Sequence, residues 1–328
     1  MKKRIWLAFA VLVPVLYAQQ EDPSSAGFTG DRAAIYMDQD SMKVERKESS
    51  WFWETKMKNP KDQFAWGEEL LKRGSRRSAR VAFDELVREW HASPEAAKAQ
   101  MEVAAIYEEN GNLERAYEEY LYLVVYFAGQ CPYNTVLDKC FQLANAILHD
   151  NKSILGFTLA SNTFHRENFE RILYYAPRWY RAPEVLIIIG ALHEDDGNFP
   201  LAAKVYDTIV SRFPNSSQCE DAVYRSAFCH YSEANIQKEN EARCRDSIMA
   251  IRALLARFPN HPRKGEIQKF YDELNVKLEL LNYNMACFYD SKQRNEKAAR
   301  TAYERFIREF PDSQRVPAIR QRLSELPQ

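Results

Sequence analysis

Glycine is scarce in this chain, with 10 in 328 residues. A loop-rich β fold relies on far more of it, and a glycine-lined nucleotide site needs a local cluster that does not occur. The patterns GxGxxG, Walker loop, GxSxG and HExxH are all missing, and so is CxxC. Nucleotide chemistry, the serine-hydrolase elbow, zinc-peptidase chemistry and a structural zinc site of the usual kind lose their sequence basis together. Neither sign of charge prevails, with 45 Lys and Arg against 46 Asp and Glu. A nucleic-acid binder needs a basic face to displace counterions, and none is offered. After the first 18 residues no apolar run is long enough to cross a bilayer. The expectation is a protein that is not an enzyme and uses no cofactor and no metal.

What is present begins with a secretory pattern. Met1-Lys2-Lys3-Arg4 is basic, Ile5 to Tyr17 is apolar apart from Pro14, and Leu16-Tyr17-Ala18 resembles a cleavage site before Gln19. Residues 1–18 read as a signal peptide, which implies export to a periplasm. Its removal takes away Lys2, Lys3 and Arg4 and no acid, leaving 42 basic against 46 acidic residues and a net charge of −4. Six cysteines follow: Cys131, Cys140, Cys219, Cys229, Cys244 and Cys287. Pairs nine or ten residues apart on one helix lie too far apart to bond. Cys229 and Cys244 could bridge the two helices of a hairpin; the plainer reading makes most of the six small buried apolar residues.

The dominant feature is a repeat. Ala202, Val205, Tyr206, Ile209, Val210 and Phe213 fall at i, i+3, i+4, i+7, i+8 and i+11. The same intervals recur from Ala299 to Phe310, from Ser247 to Phe258 and from Ala79 to Trp90. Each is one apolar stripe on a helix. A fifth copy runs from Ala116 to Phe127 with Glu119 breaking the stripe, and a weaker sixth rests on Phe169, Ile172 and Leu173. Small residues open each strong stripe and aromatics follow, so a neighbouring helix can approach closely and then be filled against. Each large side chain buried is worth roughly 1.5–3 kcal/mol. One hairpin cannot bury its stripe on both sides, so hairpins must stack.

The punctuation agrees. Phe213-Pro214, Phe258-Pro259 and Phe310-Pro311 close three stripes, because proline disfavours helical geometry in the preceding residue. Ser217 with Glu220 has capping-box spacing for the next helix, and Ser93-Pro94-Glu95 has an N-cap, a first-turn proline and an acid. A second helix precedes each stripe and ends near Gly74, Gly111 or Gly197, where left-handed backbone is expected.

Glycine, then alanine, aromatic and proline at these offsets resembles the tetratricopeptide repeat. The resemblance implies an all-α, right-handed solenoid of about five to six irregular helix hairpins over residues 64–328, with N-terminal repeats at 64–180 and a distinct C-terminal group at 181–328. Within the family, "RFPNSSQCEDAVYRSAFCHY" and the stretch from Leu274 to Ser313 resemble the outer-membrane assembly factor BamD (YfiO-like) family, over roughly Val185 to Leu326. That resemblance implies a periplasmic scaffold in β-barrel assembly, contacting the barrel insertase through Tyr283, Phe288, Tyr289 and Arg294 and unfolded client segments through Tyr107, Tyr117, Tyr122 and Tyr126. For any one of these tyrosines, packing in the repeat core is the simpler role. The family places a lipid-bearing cysteine directly after the signal, and Gln19 stands there instead. Membrane contact would then be indirect, through a partner, and the alternative is a periplasmic adaptor of the Tol–Pal or cell-wall type.

Residues 19–63 read as a flexible linker, polar with a charged run "KVERKE". Trp51, Phe52 and Trp53 interrupt it, either as an anchor at a partner or membrane surface or as a cap on the first hairpin. His193-Glu194-Asp195-Asp196 could suggest a metal, but consecutive helical residues diverge, so a solvated helix end is expected.

Overall fold

The computed structural model describes residues 42–48, 55–150, 153–154, 157–158 and 162–326. Trp51, Phe52, Trp53 and the signal-like start lie outside the described residues. Thirteen α-helices occupy the described chain in six hairpins and a closing helix. They are α1 (Pro60–Lys72), α2 (Arg76–Glu89), α3 (Pro94–Glu109), α4 (Leu113–Tyr126), α5 (Tyr133–His149) and α6 (Asn162–Tyr175). There follow α7 (Ala182–Asp195), α8 (Phe199–Arg212), α9 (Cys219–Ile236), α10 (Glu241–Arg257), α11 (Lys264–Cys287), α12 (Glu296–Glu309) and α13 (Val316–Glu325). Between α5 and α6 two-residue strands, Ser153–Ile154 and Phe157–Thr158, pair antiparallel. Each helix packs on its sequence neighbours, which makes the fold an all-α helical-repeat solenoid.

The stripes are buried as their spacing requires. Ala79, Phe83, Leu86 and Val87 are inaccessible in α2, as are Ala202, Tyr206 and Ile209 in α8, and Ala299 and Phe306 in α12. The preceding helices meet these aromatics through glycine. A Cβ on Gly67 would stand 2.4 Å from Cε1 of Phe83, and one on Gly190 2.3 Å from Cε1 of Tyr206. The ring of the second helix thus occupies the place of the missing side chain on the first.

Helix ends follow the punctuation closely. Gly74, Gly111 and Gly197 take φ of 76°, 72° and 70°. At each, the glycine N–H and the next N–H return to the last-turn carbonyls, as in Asn112 N–H to Tyr107 O at 3.0 Å. Phe213, Phe258 and Phe310 all cap their helices with φ near −128° and ψ of 50°, 71° and 61°. Trp90 caps α2 in a similar conformation without a following proline, so the aromatic closes the stripe on its own.

Four expectations differ from what is observed. Ser93 sits at an N-cap but makes no capping hydrogen bond, and Ser217 donates to Gln218 instead of capping α9. The side-chain caps come from Asn59, Asn112, Asn198, Asn240 and Asn295. The first helix starts at Pro60, ahead of the expected boundary at residue 64. Asp195 and Asp196 form a solvated helix end as expected, but His193 is turned away from it: it is 2% exposed beside Arg166, and burial lowers its pKa to about 4. Residues 42–48 are not a linker in this structure, because they are seated on the repeats. The six cysteines are free thiols, and Cys140, Cys219, Cys229 and Cys244 are buried.

The core is not uniform along the array. A single cluster runs from Met42 through α9, where it ends at Cys229. The remainder divides into two smaller clusters, one around α10 and the first part of α11 and one around α12 and α13.

Candidate functional site

Residues Met42 to Glu48 cross three of the stripe-bearing helices. Tyr175 of α6 donates its hydroxyl to Met42 O at 2.9 Å and accepts Val44 N–H at 3.2 Å. Tyr126 of α4 donates to Val44 O at 2.7 Å, and Tyr122 accepts Lys47 N–H at 3.1 Å. Arg88 of α2 donates to Glu48 O at 3.2 Å. Seven helical residues would rise only about 10 Å. Helices packed about 8–10 Å apart cannot all be reached by so short a rise. The segment is therefore extended, and its main chain is held by tyrosine hydroxyls rather than by a neighbouring strand.

Its side chains divide by direction. Met42 is inaccessible, Val44 and Lys47 are half-buried, and Lys43, Glu45, Arg46 and Glu48 are exposed. The Lys47 ammonium is the centre of the seat. Its Nζ lies 2.6 Å from Asp84 Oδ1, 2.7 Å from Glu119 Oε2 and 3.1 Å from Gln100 Oε1. Gln100 is fixed in turn, donating to Glu119 O at 3.0 Å and to Glu119 Oε2 at 2.7 Å. Arg88 Nε holds the other oxygen of Asp84 at 2.8 Å. Burial alone would raise the Asp84 carboxyl, but Lys47 and Arg88 together hold it below the ordinary carboxylate range.

His91 completes the tyrosine side. It stacks on Phe127 at 4.7 Å, and its Nε2 lies 2.9 Å from the Tyr122 hydroxyl. Burial, then the charges of Arg46 and Lys47, lower its pKa. With His91 neutral and its proton on Nδ1, Nε2 accepts a hydrogen bond from the Tyr122 O–H, whose oxygen accepts Lys47 N–H. Burial likewise pushes the Tyr122 phenol up to about 12, so it stays protonated and able to donate.

Of the four N-terminal tyrosines singled out by sequence, the structure brings Tyr122 and Tyr126 together, with rings 4.5 Å apart. Tyr117 is core: it is 1% exposed and donates to Asn168 O of α6 at 2.5 Å. Tyr107 lies under Arg80 at 5.1 Å, away from the segment. Sequence reasoning missed Met42, Lys47, Asp84, Gln100 and Tyr175. One signal pointed to the place, since Glu119 interrupts an otherwise apolar stripe.

The C-terminal residues are divided as well. Tyr283 packs on Phe306 at 5.9 Å beneath Arg315, and Tyr289 joins the same small core. Phe288 is 45% exposed, and Arg294 is exposed with a left-handed backbone, φ 48°. Val276, Leu280 and Phe288 lie at spacings of four and eight along one side, all exposed.

Among the described residues no group of three or more His, Cys, Asp or Glu could hold a metal ion. No described helix is long and apolar enough to cross a membrane.

Residues 64–134 and residues 281–313 each match a model of the tetratricopeptide repeat. The chain carries tetratricopeptide repeats over these two stretches. Both models describe the generic repeat rather than the assembly-factor family that the C-terminal phrases resemble, and neither is the model of an enzyme. Among solved structures, a tetratricopeptide repeat protein from Parabacteroides merdae ATCC 43184 aligns over 81% of this chain and 97% of its own, at 14% identity and a TM-score of 0.29. The C-terminal part of a repeat-containing protein from Cytophaga hutchinsonii aligns over 78% of this chain and 98% of its own, at 15% identity and a TM-score of 0.23. No curated protein matches the chain.

Proposed function

We propose that this repeat protein is a non-catalytic scaffold of the cell envelope that holds polypeptide segments during outer-membrane β-barrel assembly. The observation that carries the binding part is the seat of Met42–Glu48, where tyrosine hydroxyls grip an extended main chain. Main-chain recognition of that kind suits a protein that handles segments of varied sequence. The envelope part is supported by the signal-like residues 1–18 and by the C-terminal phrases. In this reading the exposed Phe288 and its neighbours on α11 meet the insertase, and the N-terminal hairpins meet client chains.

The test is affinity capture of the tagged protein from mildly solubilised envelopes, with mass spectrometry of the bound proteins. Stoichiometric recovery of the barrel insertase, lost on Phe288→Ser, is the expected result. Recovery of peptidoglycan-associated or cell-wall proteins without the insertase overturns the assembly role and leaves an envelope adaptor.

A further inference from the structure

The seat of residues 42–48 contains more than a main-chain grip. Lys47 is more deeply covered there than Arg88, and the acceptors around its ammonium converge from three helices: Asp84 on α2, Gln100 on α3 and Glu119 on α4. An ammonium carries three donors, and three oxygens from different residues lie within hydrogen-bond reach of it here. A guanidinium would present a planar fork that these converging oxygens do not match. The Tyr122 ring closes the site from a further side, 5.4 Å from Nζ.

The charges are arranged for a visitor rather than for the repeats alone. Asp84 and Glu119 belong to successive hairpins and both lie on stripe-bearing helices, where a carboxylate is costly without a cation. Arg88 neutralises one oxygen of Asp84, and the Gln100 amide serves Glu119. Lys47, from outside the hairpins, is the group that joins the two carboxylates. Next to it the seat takes Met42 in a fully covered position and Val44 in a partly covered one. The remaining side chains of the segment are exposed, and the hydrogen bonds to its backbone do not pass through them.

We propose that this seat is a lysine-selective docking site for an extended polypeptide, and that residues 42–48 are its built-in occupant. An external segment with an apolar residue, a second apolar residue two positions on and a lysine five positions on from the first competes for the same place. This rests on the reading of the chain as a polypeptide-binding scaffold, and it adds which segments are chosen and what keeps the seat filled in their absence. Docking of such a segment frees Met42–Glu48, so the N-terminal stretch reports occupancy of the site.

The experiment uses the full chain and a fluorescein-labelled peptide with the sequence of Asp40 to Ser49, followed by anisotropy. The wild-type chain is compared with its Lys47→Glu variant, in which the built-in segment is repelled by Asp84 and Glu119. The variant is expected to bind the parent peptide about tenfold or more tightly than the wild type does. A peptide with Lys47→Arg should bind the variant several-fold more weakly than the parent, and a Lys47→Glu peptide should not bind measurably. Val44→Pro in the full chain is the second opening variant. It removes the N–H given to Tyr175 and leaves every seat residue intact, so the test stands if Lys47→Glu fails to fold. Equal binding of the parent and Lys47→Glu peptides overturns the selectivity. Parent binding no tighter to either folded opening variant than to wild type overturns the built-in occupancy. Both results leave the envelope-capture experiment unaffected, so failure here is separable from failure of the scaffold role.

Discussion

Helix α4 buries seven of its 14 residues, whereas α11 buries five of its 24. The shorter helix is enclosed by α3, α5 and α6 and by the extended segment, and it carries Tyr122, Tyr126 and Glu119 into that segment's seat. The longer one is packed by α10 and α12 and leaves Val276, Leu280 and Met285 exposed, with Phe288 just beyond its end. The same repeat grammar therefore produces two different surfaces. Where a further piece of chain lies across the second helices, polar side chains are drawn inward to meet it and the core is continuous. Beyond α9, well past the segment's last contact on α6, the core breaks into small clusters joined by surface pairs. Arg305 to Glu241 and Arg245 to Glu309, both 2.5 Å, tie α10 to α12 across such a break. Exposed pairs of that kind contribute little, roughly 0–1 kcal/mol each.

The contrast can be broken most severely at the aromatic wedges. Phe83→Ala empties the space against Gly67 and is expected to cost about 3–5 kcal/mol of the main unfolding transition. Phe306→Ala should instead loosen α11 to α13 while the N-terminal hairpins melt as before. Thermal denaturation with hydrogen exchange by region separates the two results. A single shared transition shift for both variants would deny that the cores are distinct.

A smaller effect is expected from Gly190→Ala, whose methyl meets the Tyr206 ring. Overpacking there should cost about 1–3 kcal/mol, read as a lower melting temperature. The Tyr206 hydroxyl bond to Glu194 should be disturbed with it.

Helix α6 offers a test by pH. Burial raises the Glu170 carboxyl to about 7 against the opposing charge of Arg166, so the folded chain binds this proton more tightly than the unfolded chain does. Its contribution is fully present below the unfolded value and is lost as pH rises through 7. His193, with its pKa lowered to about 4, works the other way, and its contribution is still being gained as pH rises through the unfolded value of 6.5; burial lowers His91 and His165 as well. Between pH 6.5 and 7.5 the Glu170 loss opposes the histidine gain, so Glu170→Gln should gain stability with rising pH more steeply than the wild type does. An unchanged slope would place the titration elsewhere.

The mildest change is Tyr126→Phe. It deletes one hydroxyl bond to Val44 O, worth about 1 kcal/mol, and should speed exchange of residues 42–48 several-fold without moving the melting temperature.

The helices were legible in sequence because their signals are local. Stripe intervals, Gly74, Gly111 and Gly197, and the Phe-Pro closures each lie within one or two turns of what they determine. Capping was read less well: serine was favoured at Ser93 and Ser217, while asparagines at the turns between helices did the capping. The seat was almost invisible for a different reason. Its bonds join Val44 to Tyr175 and Lys47 to Tyr122, separations of 131 and 75 residues, so no periodic pattern records them. A run such as "KVERKE" looks solvated because its charges are read singly, without the carboxylates that meet one of them. Glu119 was the trace left behind: a charge in an apolar stripe implies a partner from outside the hairpin.

The N-terminal hairpins hold an extended segment through their tyrosines, and amide hydrogen exchange of the intact chain is the decisive measurement. The Val44 and Lys47 amides should exchange far more slowly than those of a free peptide, and Lys47→Glu should abolish this protection while α4 and α6 stay protected. Exchange of residues 42–48 at the free-peptide rate in the wild type would contradict it.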